Sequence, residues 1–205
     1  MKKRIISLIL LLTLTILTTF TSCGEEIIEY DEDEVISSAG TLIRKSAEFN
    51  NIFWGEGIPY AEGTEYDNGI YSPSIPDYKY KNIDDIMADA IKVFSQGYLI
   101  NVNMTVFSAQ FGDSGVDGYS RYYQESNIDP IMVRTDYKPI MVDKNEYLYD
   151  TIVIDGADET AVYVKITIKV TRDTSYQHIV TRVKLVNEDG WRIDSHTFAN
   201  YNANI

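Results

Sequence analysis

The chain has 205 residues, with 31 acidic side chains against 18 basic ones and a net charge of −13. Such a surface repels a phosphate backbone, which excludes DNA and RNA as partners. Its one cysteine, Cys23, lies near the start, so a domain downstream of it has no disulfide or thiolate ligand and must be held by an apolar core.

Met1-Lys2-Lys3-Arg4 is basic, and Ile5 to Phe20 is apolar, diluted only by Ser and Thr. The run is shorter than the roughly 20 residues a spanning helix needs. It reads as a leader with a basic n-region and an apolar h-region. Phe20-Thr21-Ser22-Cys23 then resembles the lipobox of bacterial lipoproteins. That resemblance implies cleavage after Ser22, diacylglycerol and palmitate-type chains on Cys23, and a place on the extracytoplasmic side of the cell membrane. Removing residues 1–22 takes three basic residues and no acid, which moves the net charge from −13 to −16. Residues 23–34 hold seven acids between Glu25 and Glu34, and self-repulsion makes them a solvated tether. They lack the ligand offsets and turn glycine of a calcium loop. Residues 35–205 form the single domain.

Val35 to Trp54 has helical spacing, with Leu42, Ile43, Ala47 and Ile52 or Phe53 on one face and Gly55 and Gly57 as stops. Gly55 to Asp77 is irregular by its glycines and prolines and rich in aromatics. Asn82 or Asp84 caps a second helix from Ile83 to about Gln96, which Gly97 ends. Tyr98 to Phe111 fits a strand or a helix. Gly112 to Pro130 reads as loop with a short helical turn around Tyr119–Tyr123. Strands follow at Ile131–Arg134, Tyr147–Ile154, Ala161–Arg172, Tyr176–Val186 and Trp191–Asn200, the last two joined by the turn Asn187-Glu188-Asp189-Gly190.

That turn fixes a register. Ile179, Val183, Leu185, Trp191, Ile193 and Ala199, with Thr181, Ser195 and Thr197, share the core face. His178, Arg182, Lys184, Arg192, Asp194 and His196 face outward, with Lys184 opposite Asp194. The class is therefore α+β: two or three N-terminal helices packed on one face of a curved antiparallel sheet. This order of elements, ending in Asn187-Glu188-Asp189-Gly190-Trp191-Arg192-Ile193-Asp194, resembles cystatin-like and NTF2-like domains. The resemblance favours a helix over 98–111. Phe53-Trp54 and Tyr78-Lys79-Tyr80-Lys81-Asn82-Ile83-Asp84-Asp85 bear a fainter similarity to secreted inhibitors of cell-wall DL-endopeptidases.

No catalytic constellation emerges. Hydroxyls are the only polar groups expected on the core face of the last hairpin, and alone they are poor acids and bases near neutrality. His178, Asp194 and His196 read as surface residues, and successive same-face side chains about 7 Å apart converge poorly on a metal. The loops lack a G-x-S-x-G elbow and a phosphate-binding pattern. No metal and no cofactor is expected. The aromatics Trp54, Tyr60, Tyr66 and Tyr71 either form a stacking surface for sugars or peptide side chains or fold inward as lids. The expected function is non-catalytic binding of an envelope protein, peptide or glycan by a membrane-anchored module. The alternatives are an enzyme with a pocket between helices and sheet, and an inhibitor of a cell-wall hydrolase.

Overall fold

The computed structural model describes residues 28–64, 69–108 and 120–201. The leader, Cys23, Tyr66 and residues 112–119 of the expected loop lie outside them. The described chain is α+β, with three helices and two antiparallel sheets. Among the described residues no helix is long and apolar enough to cross a membrane.

Helix α1 runs Glu32–Trp54. It begins three residues before the expected start, inside the acidic stretch. Asp31 caps it, its carboxylate accepting the Glu34 amide at 2.9 Å. Glu32, Asp33 and Glu34 form the first turn, where the positive end of the helix dipole offsets acid repulsion. The acidic stretch is therefore helical from Glu32 onward and not wholly extended.

The main sheet is a meander of β4 (Lys144–Ala157), β5 (Ala161–Arg172), β6 (Ser175–Asn187) and β7 (Trp191–Ile193). Val162, Val164, Ile166, Ile168 and Val170 are fully buried on the face of β5 that meets α1 and its neighbours. Each such aliphatic side chain contributes about 1.5–3 kcal/mol by leaving water. The β6–β7 hairpin closes with Asn187 opposite Trp191, and Asp189 and Gly190 take positive φ. Lys184 reaches Asp194 at 2.8 Å, as the register requires.

The final strand is shorter than expected and stops at Ile193. Beyond it the chain leaves the ladder because side chains capture it. Ser95 and Lys184 both bond Asp194, and Ser195 Oγ accepts the Lys184 amide at 3.0 Å. Thr197 Oγ1 then lies 2.6 Å from Ser46 Oγ and accepts from Asn50 Nδ2 at 2.7 Å. A buried hydroxyl chain on α1 thus replaces a β-ladder.

A second sheet, absent from the sequence reading, pairs β1 (Tyr71–Pro73), β2 (Tyr122–Tyr123) and β3 (Met132–Arg134) in the order β1-β3-β2. Tyr122 and Tyr123 are extended, not helical, because both pair with β3. This sheet is fastened to the C-terminal end of α1, which carries no basic residue in its last turn. Arg121 supplies the charge from a distance in sequence, its Nη2 donating to Gly55 O at 2.6 Å. The guanidinium is buried over the rings of Tyr137 and Tyr122, 4.1 and 5.2 Å from their centroids, with no carboxylate partner among the described residues. Tyr122 donates its hydroxyl to Ile52 O at 2.8 Å and accepts the Ile58 amide at 3.1 Å. Gly57, at φ +91, lets the backbone close over both groups, since a Cβ there would collide with Arg121 and the Tyr122 hydroxyl.

Candidate functional site

The expected second helix ends early, at Ala90, and the helix favoured over 98–111 starts early, at Gln96. Helix α2 is Ile83–Ala90, capped by Asn82, whose side chain accepts the Asp85 amide at 2.8 Å. Residues 93–95 then meet the sheet edge. Ile193 donates to Val93 O at 2.9 Å and Ser95 donates to Ile193 O at 2.8 Å. Ser95 caps α3 (Gln96–Val102) by accepting the Tyr98 amide at 3.0 Å, so Gly97 sits inside a new helix instead of ending the old one. A π-helical turn, Asn103–Phe107, follows. It keeps Val106 buried while Met104 stays outside.

Each helix turns one face inward, through Ile86 and Ala90 on α2 and through Tyr98, Leu99 and Val102 on α3. The apolar residues left over meet between them. Met87, Ile91, Leu99, Ile100 and Met104 line a groove of about 420 Å³. Ile91, Ile100 and Met104 are 49, 55 and 58% exposed, a contiguous apolar surface and not scattered side chains. The lining carries no charge. Asp84 and Asp85 stand one helical turn before Met87 and Ala88, and the Glu188 carboxylate accepts the Gln96 amide at 3.0 Å; none of the three has a cationic partner among the described residues. Lys92 is paired with Asp89 at 2.7 Å, and Arg192 bonds the carbonyls of Ile91 and Trp191 at 3.0 and 2.8 Å. Arg192 keeps its charge on those neutral acceptors, so Asp84, Asp85 and Glu188 outnumber it and the surroundings are net acidic.

The aromatic surface expected around Trp54, Tyr60, Tyr66 and Tyr71 is not formed by the described members together. Trp54 and Tyr71 are buried, so neither ring is available for stacking. Burial wins at Tyr71 because its hydroxyl donates to Ser120 O at 2.6 Å and its ring meets Tyr123 edge-on. Tyr60 is exposed, and Tyr66 lies outside the described residues.

Trp54 belongs instead to a cluster that the sequence reading missed. Its Nε1 donates to the Tyr98 hydroxyl at 3.1 Å, and that hydroxyl is 3.1 Å from His196 Nδ1. The His196 ring also meets Trp54, Tyr98 and Phe198 edge-on. His196 remains exposed, as expected, but is not isolated, because the tail has left the sheet register before it. Burial pushes the Tyr98 hydroxyl up to about 12, and partial desolvation by the surrounding rings lowers His196 below the usual imidazole value. The Tyr98 hydroxyl and His196 Nδ1 share one hydrogen bond, whose donor is set by the imidazole tautomer. His178 remains exposed on the outer sheet face, apart from His196. No group of three or more His, Cys, Asp or Glu able to hold a metal occurs among the described residues.

Compared with family models, curated proteins and solved structures, the chain gives no match in any of the three.

Proposed function

We propose that the chain is a bacterial lipoprotein, anchored through Cys23 on the extracytoplasmic side of the cell membrane, whose domain is of cystatin/NTF2-like build and acts by non-catalytic binding. Its occupant is a cationic, apolar stretch of an envelope peptide or protein, seated in the α2–α3 groove. The groove carries the reading: five apolar side chains converge there, three of them more than 48% exposed, in net acidic surroundings. Methionines at positions 87 and 104 adapt to varied apolar partners. The basic n-region, the apolar run and Phe20-Thr21-Ser22-Cys23 support the anchor. A long helix packed on a four-stranded meander supports the build.

Three labelled amphipathic peptides with one shared apolar face and lysine, serine or glutamate on the other test the groove by fluorescence anisotropy. The lysine peptide binds most tightly, and binding weakens with salt. Ile100→Asp with Met104→Asp abolishes it and leaves the denaturation midpoint in place, since both side chains are on the surface. No binding by any peptide, or equal binding by the double variant, would remove the groove as the site. Intact-mass analysis of the native protein tests the anchor separately, the expected product carrying acyl chains on Cys23 and no leader.

A further inference from the structure

Apart from this groove the structure holds a second cleft, lined by charged, amide and apolar side chains together. It has a volume of about 390 Å³, within the range of small-molecule sites, and lies between the C-terminal end of α1 and the entry to β4. Asn51 and Glu56 line one wall, and Met141, Val142, Lys144 and Tyr147 line the other. The second wall is fixed in place. Met141 donates to Trp54 O at 2.7 Å, and the Val142 amide bonds Asn200 Oδ1 at 3.1 Å. Asp143 is gripped by Arg172 at 2.7 and 2.8 Å and by the Tyr201 amide at 2.6 Å. A wall already held by its own bonds has little ordering left to undergo when a ligand arrives.

Three of the polar side chains lining the cleft, Asp143, Asn145 and Tyr147, are engaged by the fold itself. Asn145 is bonded to Ala199 through both ends of its amide, at 2.9 and 2.8 Å. The Tyr147 hydroxyl is approached by Asn50 Nδ2 at 3.4 Å. Three groups have no partner among the described residues. The Glu56 carboxylate and the Lys144 ammonium are both exposed, and neither forms an ion pair within 4.0 Å, with each other or with any other residue. Asn51 gives its Oδ1 to the Glu56 amide at 3.1 Å, which leaves its N–H groups facing no acceptor. An anion alone would meet Glu56, and a cation alone would meet Lys144. A molecule with both charges satisfies both.

We propose that this cleft binds a small zwitterion of amino-acid or short-peptide class with free termini. Its ammonium sits toward Glu56, its carboxylate toward Lys144 and the Asn51 amide, and its side chains lie against Met141, Val142 and the ring of Tyr147. This site shares no residue with the α2–α3 groove, and its test is independent of that reading.

Titration calorimetry of the full chain with dialanine, N-acetyl-dialanine and dialanine amide decides it. Dialanine binds, and capping either end weakens binding about tenfold or more, as expected for loss of one charge-assisted contact. Glu56→Gln weakens dialanine and erases the penalty for N-acetylation while keeping the penalty for the amide. Lys144→Met does the reverse. Both positions are exposed, so unchanged denaturation midpoints accompany both results. Absence of binding up to the solubility of dialanine, equal binding of the three forms, or identical effects of the two substitutions would overturn the proposal.

Discussion

The two sheets of this domain are stabilised in opposite ways. The four-stranded meander rests on a repeated pattern: β5 buries every second residue, and its partners on β6 do the same through Ile179, Val183 and Leu185. The three-stranded sheet has strands of two or three residues and nothing to repeat. It is held by individual side chains, Arg121 and Tyr122 above all, that bond backbone atoms at the end of α1. The first sheet distributes its stability over many interchangeable aliphatic contacts. The second concentrates it in a few bonds that no neighbour can replace.

Truncation of one side chain in each sheet sharpens that contrast. Ile166→Ala removes buried methylenes from the fully enclosed face of β5 and lowers stability by about 2–5 kcal/mol, read from denaturant unfolding. The loss is the larger one, but the remaining aliphatics keep the sheet native, and amide exchange in β5 and β6 rises uniformly. Tyr122→Phe removes a single oxygen. It leaves the buried Ile58 amide without its acceptor and Ile52 O without its donor, at a cost of about 1–3 kcal/mol. Here the damage is local: exchange rises at Ile58 and in β1 to β3 before the meander responds. Uniform loosening of both sheets by Tyr122→Phe would show that they are not separately held.

The same contrast explains what could be read from sequence. The face of β5, the apolar stripe of α1 and the Lys184–Asp194 pair follow from local periodicity and one turn, so the meander and its register were legible. The bond from Arg121 to Gly55 and the one from Tyr122 to Ile52 join residues 66 and 70 positions apart and leave no periodic trace. Ser95 was the missed signal for where α3 begins. A serine three residues before Tyr98 caps the helix favoured over 98–111 and starts it at Gln96, while the second helix stops at Ala90. The groove had a signal as well. Ile91, Ile100 and Met104 are the apolar residues that remain once each helix has assigned its inward face. Trp54 and Tyr71 take the inward one of the two alternatives, because each has a partner inside the fold for its polar tip, which composition alone does not reveal.

The smallest expected effect lies where the two modes of stabilisation meet, at His196. Its ring faces Trp54 from α1, Tyr98 from α3 and Phe198 from the tail, with no carboxylate or cation among them, and partial desolvation lowers its pKa. A base with a depressed folded pKa binds fewer protons folded than unfolded in the window between the two values. Stability therefore rises with pH across that window. It is fully present above the ordinary imidazole value of about 6.5 and is lost as pH falls from there toward the depressed folded value. Two carboxylates act elsewhere. Asp143 and Asp158 are held low by Arg172 and by the Tyr163 hydroxyl respectively, so their contribution persists until the pH falls below about 4. Replacement by glutamine keeps a hydrogen-bond partner for the Tyr98 hydroxyl and removes the titration. His196→Gln accordingly flattens the fall of the urea midpoint as pH drops below about 6.5 while leaving the acid limb below about pH 4 unchanged. An unaltered slope in the upper window would mean that the imidazole keeps its proton equilibrium on folding. The aromatic enclosure would then be packing alone, with no effect on the charge of the tail.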